Sequence, residues 1–266
     1  MTAHIDLRAG ARPILAILLL TAVPLSHSQE QPRSQATAPP RTVDGKPDLN
    51  GMWTWPFGKP GDDRGASFST SFDKKYFSPL KSDGEPFFKA PTGDPYLDEP
   101  RAFCMPSGFP SGMLAGYPMQ MIQTSKYLVI VNEFQRMTRI IPLDGRPHRE
   151  GLEPTYYGDS VGHWEGATLV IDSTNFKSWM LDEYYYRDPN QYRMHSDALH
   201  ATERIRYSSP TVLAYSITID DPKVFTKPWT QDFTMVARPE WDAVGLYEYV
   251  CDNLRCPGGQ CASDKK

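Results

Sequence analysis

The feature that most constrains this chain is a succession of segments with alternating apolar and polar residues, joined by connections that are mostly short. Residues 126–141 (KYLVIVNEFQRMTRII), 167–175 (ATLVIDSTN), 199–207 (LHATERIRY), 211–220 (TVLAYSITID), 230–238 (TQDFTMVAR) and 246–252 (LYEYVCD) are rich in β-branched and aromatic side chains with a period of two. That is the signature of strands with one buried face. Pro142-Leu143-Asp144-Gly145-Arg146-Pro147-His148 closes the first segment with turn chemistry. Parallel neighbours need crossovers of about a dozen residues or more, which most of these gaps cannot hold. The spacing therefore predicts an all-β chain, an antiparallel meander closing into a calycin-like barrel or a strongly bent sheet, because closure removes unpaired edges.

Upstream of these strands the character changes. Residues 53–118 have little periodicity and many Pro and Gly, yet they are rich in aromatic residues. Disordered segments lack aromatics, so this stretch reads as a long ordered wrap over one end of the sheet. Residues 29–46, rich in Gln, Pro, Ser, Ala and Thr, read as a disordered linker, leaving residues 47–266 as a single β-rich domain. Ahead of the linker, Arg8 and Arg12 precede an apolar run from Ile14 to Leu25, followed by Ser26-His27-Ser28. The run is shorter than the ~17 residues a membrane-spanning helix needs, so residues 1–28 read as a signal peptide and no membrane span is expected. With 28 Lys plus Arg against 32 Asp plus Glu, no basic field exists to neutralise phosphates, which excludes a nucleic-acid partner.

Cysteine usage agrees with export to the periplasm or beyond. Cys104, Cys251, Cys256 and Cys261 form an even set, as disulfide-bonded exported proteins do. Four cysteines allow three pairings. Cys256 and Cys261 enclose the flexible Pro-Gly-Gly-Gln, which predicts that they pair and that Cys104 pairs with Cys251.

Seven stretches, PDLNGMW (47–53), CMPSGFP (104–110), IIPLDGRPH (140–148), GDSVGHWEGATLVIDSTNF (158–176), LHATERI (199–205), DDPKVFTKPWT (220–230) and YEYVCDN (247–253), resemble a family of exported bacterial proteins with no assigned activity. Ala167 stands where that family's pattern carries an acidic residue. The resemblance implies an exported β-rich domain and nothing about chemistry.

Candidate chemistry comes from the titratable residues. Gly158-Asp159-Ser160-Val161-Gly162 matches a nucleophile-elbow pattern, but a strand follows it instead of a helix, so Ser160 reads as a hydroxyl satisfying turn backbone. Residues 194–204 hold the densest titratable cluster: His195, Asp197, His200, Glu203 and Arg204. On an extended chain His200 and Arg204 share one face while Glu203 points the other way with Leu199, Ala201 and Ile205. Glu133 and Glu248 sit likewise among apolar neighbours, so three glutamates are expected to converge inside a barrel, with His200 or His195 assisting proton transfer. The competing expectation is a structural ionic ladder in which Arg139, Arg204 or Arg136 crosses the interior to neutralise them. Trp179, Tyr184, Tyr185, Tyr186 and Tyr192, with His163 and Trp164, supply flat faces and hydroxyls for a small aromatic or sugar-like molecule, or for a homodimer contact. No organic cofactor is expected, since nucleotide-binding signatures are absent; a divalent metal held by His plus Glu is the alternative. Two functions follow: an exported lyase, isomerase or hydrolase working by acid/base chemistry, or a non-catalytic carrier using the same cavity.

Overall fold

The computed structural model describes residues 38–55, 88–89, 104–182 and 192–251. The expected signal peptide, linker residues 29–37, Tyr184, Tyr185, Tyr186, Cys256 and Cys261 lie outside them. The described residues hold twelve strands: β1 (Gly51–Thr54), β2 (Phe88–Lys89), β3 (Met119–Gln123), β4 (Tyr127–Asn132), β5 (Thr138–Pro142), β6 (Asp159–Glu165), β7 (Thr168–Thr174), β8 (Trp179–Asp182), β9 (Tyr192–His195), β10 (His200–Ser209), β11 (Val212–Asp220) and β12 (Trp229–Ala237). No α-helix occurs among the described residues.

Nine strands form one antiparallel sheet in the order β5-β4-β3-β1-β12-β11-β10-β7-β6, and β2, β9 and β8 form a second, smaller one. The large sheet nearly closes into a barrel, leaving one unsealed seam. Its end strands are β5 and β6. The sheet is not a simple meander, because β1 slots between β3 and β12 and so joins the two halves. Alternation sorts the side chains: Leu213, Tyr215, Ile217 and Ile219 of β11 are buried, while Val212, Ala214, Ser216 and Thr218 between them are only partly covered.

The interior is filled by Leu, Ile and Met side chains with a cluster of aromatic rings among them. Trp55 packs edge-on against Tyr215 and Phe233, with ring centroids 5.3 and 5.8 Å away, and its indole N–H donates to the Met113 carbonyl at 3.1 Å. Residues 107–116 are irregular yet buried at every position. Buried irregular backbone requires partners, and it has them. The Phe109 N–H donates to Tyr156 O at 2.8 Å, and the Ser107 N–H donates to Gln135 Oε1 at 2.7 Å. Gly108 adopts φ +74°, and a Cβ there would sit 2.5 Å from Trp179 Cδ1, so only glycine fits.

Several sequence expectations need correction. Residues 126–141 are not one strand, because Gln135 and Arg136 take left-handed φ values of 55° and 49° and turn β4 back into β5. Residues 246–251 form no strand; they lie against the 133–136 turn, where the Tyr247 N–H donates to Glu133 Oε2 at 2.9 Å. The ordered chain also begins ahead of Pro47, with a turn closed by Thr42 N–H to Lys46 O and Gly45 N–H to Thr42 O, both 2.9 Å. The expected Cys104–Cys251 disulfide is present, with a Cα–Cα distance of 5.7 Å across 147 residues of chain. It ties the segment entering at 104 to the last described residue.

Candidate functional site at the barrel seam

Arg139 alternates inward from β5 and reaches across the interior. Its guanidinium meets Glu203 of β10 through two hydrogen bonds, Nη1 to Oε1 at 3.0 Å and Nη2 to Oε2 at 2.5 Å. The Tyr215 hydroxyl donates to Glu203 Oε1 at 2.8 Å. Arg139 Nη2 also donates to Ser160 Oγ (3.1 Å) and Ser173 Oγ (3.3 Å), which lie 2.8 Å from one another. The Phe109 ring lies beneath the guanidinium, 4.6 Å from centroid to Cζ. One polar string therefore links β5, β6, β7, β10 and β11. Burial would lower the Arg139 pKa, but the Glu203 charge and hydrogen bond outweigh it and raise it overall. Burial first, and then the Glu203 charge, push the Tyr215 hydroxyl well above its usual range, so it remains a donor. Glu203 is wholly buried. Three donors converge on its two oxygens, and the expected ionic ladder with Arg139 is the arrangement found.

The three glutamates do not converge. Glu133 sits at the 133–136 turn receiving the Tyr247 N–H, and Glu248 is exposed. His200 does not join Glu203 either, because alternation along β10 sends them to opposite faces of the sheet. On the outer face, His200 Nε2 meets Asp172 Oδ2 at 2.6 Å, and the other oxygen of Asp172 meets His148 Nε2 at 2.8 Å. His148 Nδ1 meets Asp159 Oδ2 at 2.9 Å, and Arg149 Nε donates to Asp159 Oδ1 at 2.8 Å. Partial burial pulls the His148 pKa down, but hydrogen bonds to Asp172 and Asp159 and their charges reverse this and raise it. Burial likewise opposes ionisation of Asp159 and Asp172, yet their basic partners leave both below the usual carboxylate range. With a carboxylate on each ring nitrogen, His148 is held as a cation and pins the loop between β5 and β6 to the outside of β6 and β7.

The remaining candidates are scattered. His195 is buried, with Nδ1 2.8 Å from Ser196 O and its ring edge-on to Phe176; burial lowers its pKa, so it is a neutral core residue. Asp197 is exposed and paired with Lys223, while Arg204 donates to Glu165 at 2.6 Å and His163 approaches the same carboxylate at 3.3 Å. Trp164 packs against the core, and Trp179 donates to Pro106 O at 2.8 Å beneath Tyr156. Tyr192 lies in β9, well away in sequence from the seam strands. No group of three His, Cys, Asp or Glu able to hold a metal occurs among the described residues.

The seam itself holds a cavity of about 460 Å³. At one end β5 and β6 draw together, the Gly145 N–H donating to Gly162 O at 3.0 Å. A Cβ at Gly162 would lie 3.0 Å from Leu143 and 3.2 Å from Ile141, so glycine permits this approach. Towards the other end the cavity opens between Thr138, Arg139 and Ile140 on one side and Gly158, Asp159, Ser160 and Val161 on the other. Tyr127, Pro142, Arg146, Arg149 and Tyr157 complete its wall. Burial pushes the Tyr157 hydroxyl up to about 12, keeping it protonated and able to donate. Sequence reasoning missed Tyr127, Tyr157 and the arginines of the turn as wall residues. Alternation in the TRII segment signalled an inward Arg139, but which strands form the open edge is not a local property. Comparison with protein-family models and with curated proteins returns no match for this chain.

Proposed function

We propose that this is an exported carrier that binds a small, largely apolar or aromatic molecule in the seam cavity. The observation that carries this reading is the cavity itself. Its volume of about 460 Å³ falls within the range typical of small-molecule sites, and its wall combines the apolar faces of Tyr127, Ile140, Pro142, Val161 and Tyr157 with the polar Thr138, Arg139, Arg146, Arg149, Asp159 and Ser160. Ile140 is 63% exposed on the lip, an apolar side chain left for a ligand to cover. The Cys104–Cys251 disulfide supports an oxidising, exported setting. Acid/base catalysis through Glu203 is disfavoured, since its oxygens are filled by Arg139 and Tyr215 and it does not line the cavity. Asp159 does line it, but His148 and Arg149 lower its pKa and occupy both of its oxygens, which makes it a poor acid and a poor base alike.

The experiment is titration of 15N-labelled protein with 2-naphthalenemethanol, a neutral bicyclic probe that such a cavity can hold. The expected result is saturable shifts at the Thr138, Ile140 and Ser160 amides, abolished by Thr138→Trp, which puts an indole at the opening. Shifts elsewhere only, or a Thr138→Trp variant that binds unchanged, refute the cavity reading.

A further inference from the structure

The seam cavity also carries a charge pattern that selects among small apolar molecules. Its wall presents three guanidinium groups, Arg139, Arg146 and Arg149, against one carboxylate, Asp159. Arg139 is buried and neutralised by Glu203, so it offers no free charge. The turn arginines differ. Arg146 is 44% exposed and holds Asp144, a neighbour in the same turn and itself 52% exposed, through Nε at 2.8 Å and Nη2 at 2.6 Å. Both partners are open to solvent, so an incoming anion meets this guanidinium without first being buried. Arg149 is 67% exposed and uses Nε and Nη2 on Asp159, which leaves Nη1 for a ligand. A cation would find no comparable partner, because Asp159 is only 5% exposed and already receives Arg149, the Arg149 N–H and His148.

Resting on the cavity reading above, we infer that the ligand is an aromatic or similarly flat apolar anion, a carboxylate or its equivalent. Its acid group sits between Arg146 and Arg149, and its body lies against Tyr127, Ile140 and Pro142. Guanidinium groups match planar carboxylates through paired hydrogen bonds, and the turn that carries them is already held by His148. Little reorganisation is then required on binding.

The test compares three probes of one shape: 2-naphthoate, 2-naphthalenemethanol and 2-naphthylmethylammonium, followed by the same amide shifts at low salt. Naphthoate is expected to bind at least ~10-fold tighter than the alcohol, with the ammonium weakest. Arg146→Ala and Arg149→Ala should each weaken naphthoate roughly fivefold more than they weaken the alcohol. Arg146 takes no part in the bonds that join His148 and Arg149 to Asp159 and Asp172, so its variant tests the idea even if Arg149→Ala loosens the loop. Equal affinity of alcohol and naphthoate, or unaltered naphthoate binding in both variants, overturns the anion inference while leaving the cavity reading standing. Failure of all three probes to shift the seam amides overturns both.

Discussion

Replacing Glu203 by Gln is the sharpest test of how the interior is held together. The change keeps size and shape but removes the charge opposite Arg139, whose side chain is 2% exposed while that of Glu203 is 0%. One carboxylate oxygen becomes an amide N–H₂ facing guanidinium N–H groups, so one of the paired bonds at 3.0 and 2.5 Å is lost and two donors oppose each other. Breaking a buried pair from one side leaves an uncompensated charge and costs about 3–5 kcal/mol. For a domain of this size that corresponds to a fall in Tm of roughly 10 °C, at about 2–4 °C per kcal/mol. Urea denaturation under non-reducing conditions reads the loss as a lower midpoint at constant slope. The double variant Arg139→Met/Glu203→Leu should recover most of it, because neither charge is then left alone, and the coupling should exceed ~1 kcal/mol. A Glu203→Gln protein within ~1 kcal/mol of wild type, or a double variant no better than the sum of the singles, refutes the assignment of this pair as a mutually required buried charge unit.

Stability should depend on pH in two opposed ways near neutrality. The raised His148 pKa makes its contribution complete below about 6.5 and lost as pH rises through the folded value, so His148→Ala should flatten the alkaline side of a Tm profile. The lowered His195 pKa works the other way, its contribution being complete above about 6.5 and lost as pH falls, so acid should destabilise the protein before its carboxylates titrate. A His148→Ala profile identical to wild type contradicts the pin. Cys104→Ser opens a link across 147 residues and should lower stability by about 5 kcal/mol in the chain-entropy model, measured by urea midpoint; no change under oxidising conditions would mean the bridge constrains nothing. Gly162→Ala should cost about 1–3 kcal/mol, because its Cβ meets Leu143 and Ile141 at 3.0 and 3.2 Å, and should speed exchange of the Gly145 amide; unaltered exchange would show that the seam is not closed there.

Alternation along each segment sufficed to identify the strands at 168–174, 200–209, 212–220 and 229–237, their antiparallel pairing, and the side of β10 on which Glu203 and His200 lie. The even cysteine count, with the Pro-Gly-Gly-Gln turn expected to pair Cys256 with Cys261, pointed to Cys104–Cys251. These are local or combinatorial properties that a side-chain period of two or a short list of pairings determines. The break at Gln135 and Arg136 was hidden because left-handed backbone there is carried by ordinary residues with no glycine to announce it. Which charges meet was hidden for a different reason. Inward direction says that Arg139 and Glu203 share the interior with other groups, but their pairing across 64 residues follows from the closure of the sheet, which brings β5 over β10. The same closure, incomplete between β5 and β6, creates the cavity and turns Arg146 and Arg149 of an ordinary-looking turn into its rim. Position along the strand is encoded residue by residue, whereas the seam exists only once nine strands have curved round to face one another.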